Sequence, residues 1–251
     1  MKNSRGILLA VSMAVFIALP TQAATYYAAP NGNDNDAGTE AEPWASLDKI
    51  GSSLRAGDIC YLKAGTYSGF LTMENSGNAN DGYITVQNFE NDEVIIDCER
   101  RGGSCVSNNQ GESYLKFIGL NVRNHSGNGI RIDGPASHFE IRDCSVMNGS
   151  TNTGAVFRGQ THAFLIFAGL EWGAGTVSNV IIEGNEVGDN STGGNESLTL
   201  WGDVTDFEVL NNVVHDGSNI CMDMIGCEGP NQWGGGDGNA HPGIGKGKHM
   251  L

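Results

Sequence analysis

The chain has 251 residues, 39% of them hydrophobic, with 37 Gly, 6 Cys and 29 acidic against 14 basic side chains, a formal net charge of −15. Such a surface repels nucleic acid and anionic lipid and suits divalent cations or neutral glycans. Beyond the N-terminus nothing resembles a membrane span.

Residues 1–23 place Lys2 and Arg5 before an apolar run, Ile7 to Leu19, and end in Thr21-Gln22-Ala23. This reads as a secretory signal peptide, too short and wrongly flanked to span a bilayer. Its removal leaves 12 basic and 29 acidic residues, 12 − 29 = −17, and the mature chain is expected to be secreted, extracellular or periplasmic. A single domain is expected over residues 24–226, with an N-terminal cap at 24–57. The cap opens with a strand and turn cluster, Tyr26 to Asp34, followed by a short helix that carries Leu47, Ile50 and Leu54 on one face. Laid over a first coil, that helix covers open strand edges. Ala56-Gly57-Asp58 then turns into a strand, Ile59 to Lys63, and Ala64 to Tyr67 turns out of it. Six cysteines in an exported chain permit disulfides without defining a disulfide scaffold. Cys98 and Cys105 flank a polar loop and are expected to bridge. Cys60 and Cys144 read as small core residues, and Cys221 and Cys227 have no zinc-like spacing.

Four stretches then superpose: Phe117 to Val122, Ile141 to Val146, Ile182 to Val187 and Val209 to Val214. Their closing Val recurs after 24, 41 and 27 residues, with an insertion expected at 161–178 in the long step. Each Val is followed by an alternating apolar pair and a Gly: Ile130/Ile132, Ala155/Phe157, Leu198/Leu200 and Met222/Met224. Period-2 alternation inside a longer repeat predicts several short strands per coil of a right-handed parallel β-helix, an all-β solenoid. In a solenoid, like residues stack from coil to coil. The columns Phe117/Ile141/Ile182/Val209, Val122/Val146/Val187/Val214 and Leu115/Phe139/Val180/Phe207 satisfy this. The mixed column Leu120, Cys144, Asn185, Asn212 predicts an inward Asn ladder, the alternative being exposed turn residues.

Tyr26 to Gly69 carries a strand, P-N-G-N-D, a P-W-x-S-L turn, a helix, A-G-D, and a strand ending G-T-Y. It resembles the opening of secreted pectate-lyase-like β-helix proteins, among them polysaccharide lyase family nine and its uncharacterised relatives, over about Tyr26 to Gly226. The resemblance implies the fold strongly and an activity weakly, because one fold hosts lyases, hydrolases and adhesins. It also implies a saccharide groove along the Gly-terminated strands and their preceding loops. The outward positions there are Arg131 and Asp133, Val156 and Arg158, Thr199 and Trp201, Asp223 and Ile225. The loops supply His125, Asn128, Asn152, Asp189, Glu196, His215, Asp216 and Asn219. Trp201 would stack a sugar ring, with Thr199, Glu196 and Asn219 beside it, and Arg131 or Arg158 would pair with a uronate carboxylate. A solvated polar face is the plain alternative.

Family-nine lyases carry a strand resembling D-D-G-W-D-L whose aspartates bind Ca²⁺. Here Asp223 matches the last aspartate, while Asn219 and Ile220 replace the first two. Asp223, with Asp216 and Asp203, falls short of the 6 to 8 oxygens that Ca²⁺ prefers. β-Elimination needs a base, usually Lys or Arg in this fold. No lysine falls on the expected groove, which leaves Arg131, Arg158 and His215. From Cys227 to Leu251 there are eight Gly and two Pro in 25 residues with no strand alternation, and this tail reads as the truncation or altered reading of a longer coil stack, the alternative being that it folds over the end. The expected function is therefore a polysaccharide-lyase-like protein acting on acidic, uronate-containing polysaccharide. The alternative is a non-catalytic carbohydrate-binding or adhesion module.

Overall fold

The computed structural model describes residues 23–109, 111–150, 161–169, 175–225 and 249–250. The chain enters through β1 (Thr25–Ala28) and α1 (Leu47–Ser53), then winds in coils of three short strands. The first coil is β2 (Ile59–Leu62), β3 (Gly65–Ser68) and β4 (Leu71–Met73); the second is β5 (Ile84–Asn88), β6 (Val94–Asp97) and β7 (Ser104–Asn108). The third is β8 (Leu115–Ile118), β9 (Leu120–Arg123) and β10 (Asn128–Asp133), and the fourth is β11 (Ala136–Arg142), β12 (Ser145–Met147) and β13 (Phe164–Ala168). β14 (Val177–Glu183), β15 (Glu186–Gly188) and β16 (Leu198–Gly202) form the fifth; β17 (Val204–Leu210), β18 (Val213–Val214) and β19 (Met222–Ile225) the sixth; β20 (His249–Met250) pairs with β17. Equivalent strands pair in parallel into three sheets: sheet A (β1, β2, β5, β8, β11, β14, β17, β20), sheet B (β3, β6, β9, β12, β15, β18) and sheet C (β4, β7, β10, β13, β16, β19). This is a right-handed parallel β-helix.

The expected columns are present. Val122, Val146, Val187 and Val214 are register partners along sheet B, and Phe117, Ile141, Ile182 and Val209 along sheet A. Leu115, Phe139, Val180 and Phe207 form the third column, and all but Val214 are buried. Between sheets A and B the third to sixth coils each bend through one left-handed residue: Gly119 (φ 67°), Asp143 (52°), Gly184 (67°) and Asn211 (54°). Gly, Asp and Asn tolerate that region best, so the bend recurs without a β-branched residue in the column.

Next to the bend stands the ladder. Asn185 Nδ2 donates to Asn212 Oδ1 at 2.8 Å and to the Ile141 carbonyl at 3.0 Å, while its own Oδ1 accepts the Cys144 amide at 2.9 Å. Asn212 repeats the pattern one coil on, its Oδ1 accepting the Asn185 amide at 2.9 Å and its Nδ2 donating to the Ile182 carbonyl at 2.8 Å. A second polar stack, at the corner between sheets B and C, is not foreshadowed by any repeat in the sequence. There Asn190 Oδ1 accepts the Gly149 amide at 2.8 Å and faces His125 Nε2 at 3.1 Å, and both side chains are buried. Gly149 is required between them, because a Cβ there would lie 2.1 Å from the imidazole. His125, expected as a groove residue, is thus a core residue; burial holds its pKa below the ordinary value.

The cap is as expected. Leu47, Ile50 and Leu54 are buried, Ser46 caps α1 by accepting the Lys49 amide at 3.1 Å, and the helix lies along β4, the edge strand of sheet C. Cys98 and Cys105 form a disulfide, and Cys60 and Cys144 are free and buried.

One strand differs from the expectation. The fourth coil's sheet C strand is Phe164–Ala168, within the segment taken as an insertion, and not the stretch ending at Gly159. Phe164 and Ile166 continue the inward columns Ile130–Leu198 and Ile132–Leu200 and are fully buried. Leu165 and Phe167, on the opposite face, are apolar too, so the strand shows no alternation and reads as an undifferentiated apolar run. Ala155, Val156, Phe157, Arg158, Asn152 and Gly159 lie outside the described residues, as do the signal segment up to residue 22 and tail residues 226–248.

Candidate functional site

The outer face of sheet C is built from two parallel rows. The first runs Thr72, Ser107, Arg131, Leu165, Thr199, Asp223, one residue per coil. The second runs Asp133, Phe167, Trp201, Ile225. Successive coils stand about 4.8 Å apart, so the rows make a continuous strip along the solenoid axis. Its first coils are polar, where Phe70, Thr72, Ser104, Ser107, Arg131 and Asp133 line an open cleft of about 370 Å³. From the fourth coil the second row is apolar, Phe167, Trp201 and Ile225, while the first carries Leu165, Thr199 and Asp223.

Arg131 and Asp133 sit two apart on β10 and therefore project from the same face. Arg131 Nε and Nη2 clamp the Asp133 carboxylate at 2.6–3.0 Å, and the guanidinium lies 5.1 Å from the Phe167 ring centroid. Phe167 meets Trp201 edge to face, centroids 5.4 Å apart at 90°. The Trp201 indole N–H is buried and, among the described residues, has no hydrogen-bond partner.

Beside Trp201 the structure assembles a buried polar set. The Thr199 hydroxyl stands 2.9 Å from His162 Nδ1 and donates to Glu196 Oε2 at 3.4 Å, while His162 Nδ1 is 3.8 Å from the same carboxylate. Thr199 and His162 are buried, and burial pushes the His162 pKa down to about 4, with Arg131 contributing in the same direction. At neutral pH the imidazole is uncharged, and a proton on Nδ1 would be donated to Thr199. Thr199 and Glu196 were anticipated from the sequence; His162, Leu165 and Phe167 were not, because they belong to the strand hidden in the apolar run.

The remaining expected residues are dispersed. His215 follows β18 on the sheet B side, with Nδ1 2.8 Å from Asp216 Oδ2 and Nε2 3.3 Å from Glu186 Oε1. Hydrogen bonds to these two carboxylates raise its pKa and favour the protonated form. Asn219 donates to the Gly194 carbonyl at 2.9 Å in an exposed loop. Asp203 follows β16 and accepts the Thr176 hydroxyl. Of the three aspartates expected to hold Ca²⁺, only Asp223 stands on the strip. Among the described residues there is no group of three or more His, Cys, Asp or Glu side chains that could hold a metal ion. The described lysines Lys49, Lys63 and Lys116 lie on α1 or at sheet A. Arg158 lies outside the described residues.

Comparison with known proteins bears on this face. Residues 26–174 match the Pel9A-like, right-handed β-helix region. The uncharacterised protein YwoF of Bacillus subtilis is 30% identical over 220 residues, covering 81% of this chain and 44% of that protein. Pectate lyase PEL9 of Emericella nidulans is 35% identical over 97 residues, 37% of this chain and 23% of the lyase. The chain spans less than half the length of these curated relatives. The crystal structure of pectate lyase Pel9A superposes with a TM-score of 0.56 at 15% identity, over 89% of this chain and 58% of that one, a likeness of fold. With the repeated coils, the capped first turn and the match over 26–174, the chain belongs to the Pel9A-like family of right-handed β-helix proteins.

Proposed function

We propose that this is an exported polysaccharide-lyase-like protein that binds an acidic, uronate-containing polysaccharide along the outer face of sheet C. The observation that carries the reading is the strip itself: a guanidinium, two orthogonal aromatic rings and a buried hydroxyl–imidazole–carboxylate set lie on adjacent coils. A sugar ring on Trp201 and Phe167 would place its uronate near Arg131, which can stabilise the charge that develops on the carboxylate during β-elimination. The chain's relatives include a pectate lyase, which supports a uronan as the ligand. Export is supported by the Cys98–Cys105 disulfide and by the signal-like leader.

Removal of the proton next to the uronate carboxyl needs a base, and the described strip offers none that is free. Arg131 is clamped by Asp133, His162 is enclosed, and His215 is held by two carboxylates away from sheet C. Arg158 remains the candidate from the sequence. Asp223 is the one expected calcium ligand that stands on the described strip. This shortage of a base favours one second reading, a binding module that retains polysaccharide without cutting it.

Incubation with polygalacturonate separates the two. A lyase releases unsaturated product that absorbs at the ultraviolet edge, whereas a binding module shows only retention on the immobilised polymer. In either case Trp201→Ala should weaken retention roughly threefold to tenfold, the value of one aromatic contact. Arg131→Ala should weaken it roughly tenfold or more, as expected for a charge-assisted hydrogen bond. Retention unaffected by both substitutions would remove the strip from consideration.

A further inference from the structure

A second cleft, of about 880 Å³, opens where sheet A bends toward sheet B, on a different side of the solenoid from the strip. Its floor is one outward row of sheet A: Tyr27, Tyr61, Gln87 and Ile118 are successive register partners. Tyr27 and Tyr61 lie side by side, centroids 5.6 Å apart and planes 30° from each other. Phe89 stands edge-on to both, at 70° and 80°, and forms a wall. The result is a half-exposed aromatic shelf whose two tyrosine rings stand one coil step, roughly 5 Å, apart along the axis.

The rim of the shelf is acidic. Glu90, Asp92 and Glu93 follow Phe89 in a tight turn, which Asn88 Nδ2 pins by donating to the carbonyls of Glu90 and Asp92. Asp143, from the bend two coils further on, lines the same cleft. Two cations stand nearby among the described residues: Arg123 Nη2 donates to the Glu93 carboxylate at 3.3 Å, and Lys63 lies over the Tyr27 and Phe89 rings at 5.8 and 6.0 Å, its ammonium donating to the Glu40 carbonyl and 3.8 Å from the Glu40 carboxylate. Neither Glu90 nor Asp143 makes a side-chain hydrogen bond or ion pair among the described residues.

A flat aromatic floor accepts the C–H face of a pyranose, and a rim of carboxylates selects for positive charge on its substituents. The same rim repels uronates, so this cleft cannot share the ligand proposed for sheet C. We infer that the cleft at the sheet A–sheet B bend binds amino-sugar oligosaccharide, with pyranose rings on Tyr27 and Tyr61 and ammonium groups toward Glu90 and Asp143. The ligand class rests on charge complementarity and platform geometry alone and is independent of any activity at the strip.

Calorimetric titration of the whole chain with a fully deacetylated glucosamine hexamer at mildly acidic pH tests this. Binding is expected, and Tyr61→Ala should weaken it roughly threefold to tenfold or more. Asp143→Asn should weaken it severalfold while leaving the thermal melt unchanged, since Asn tolerates the left-handed backbone at φ 52°. Trp201→Ala should leave it unchanged. Absence of hexamer binding, or full affinity in the folded Asp143→Asn protein, overturns the inference. Equal affinity for the N-acetylated hexamer would show that the carboxylates play no part, and equal affinity for tetralysine that the cleft reads charge without sugar; each also overturns it.

Discussion

Asn185 is the side chain on which the polar interior of the fourth to sixth coils turns. It is buried, and its amide reaches one coil back and one coil forward at once. Its partner Asn212 can therefore be tested by a substitution of similar volume. Asn212→Leu leaves the Asn185 amide and one Asn185 Nδ2 hydrogen without their acceptor, and it should cost about 1 to 3 kcal/mol, read as a lower urea midpoint. A solvated turn residue would cost within about half a kcal/mol. The two buried histidines give a second residue-scale expectation. His125 and His162 both have folded pKa values lowered by burial, His162 to about 4. Between that value and the unfolded value near 6.5 the unfolded chain binds more protons. The His162 contribution is present in full above about pH 6.5 and declines as pH falls toward about 4, by up to about 1.4 kcal/mol per pH unit, and that of His125 declines in the same direction. Urea midpoints from about pH 7 to about pH 5 should fall, and less steeply in His162→Gln; a flat profile would mean the rings are solvated.

Among the elements, the small disulfide hairpin between β6 and β7 is the clearest case of a local staple. Cys98 ends the strand column of sheet B, Cys105 starts sheet C, and the bridge closes a loop of sequence separation 7. Loop-closure entropy for so short a ring gives about 2.5 kcal/mol, so the Cys98→Ala/Cys105→Ala protein should lose roughly that amount, as should the reduced protein in strong reductant. Equal urea midpoints with and without reductant would show a neutral bridge. This loop was readable because its residues are polar between two cysteines. The four sheet A to sheet B rungs were readable because alternation and repeat length agree, and Thr199, Glu196 and Trp201 followed from that register. β13 was not. Its sequence, Phe164-Leu165-Ile166-Phe167-Ala168, is apolar on both faces, so the period vanishes where the strip becomes aromatic. Without β13, an outward position falls on Arg158 and His162 stays concealed. The His125–Asn190 stack was missed for a related reason: a buried polar column of unlike residues, spaced by a glycine, leaves no repeat to align.

At the scale of the whole molecule, charge governs the encounter with any polyanion. The formal net charge is −15, and a uronan is itself a polyanion, so the approach of one to the other is opposed at long range whatever the strip does at contact. Arg131 does little to offset this, because Asp133 neutralises it beyond a few ångströms. Salt therefore acts oppositely on the two parts of the process. Raising ionic strength from about 10 mM to about 150 mM shortens the Debye length from about 30 Å to about 8 Å and removes most of the long-range repulsion. It leaves a partly buried guanidinium contact largely intact. The association rate for polygalacturonate should accordingly rise with salt over this range, the reverse of a basic protein on nucleic acid, while the dissociation rate changes little. As screening ions, calcium and magnesium at equal ionic strength should speed association alike. Stopped-flow association in sodium, magnesium and calcium chlorides measures all three. An acceleration by calcium well beyond that of magnesium that is lost in Asp223→Asn would point to an ion site on the strip with Asp223 among its ligands. An association rate that falls with salt would mean that contact with a positive strip, and not repulsion by the whole surface, governs capture.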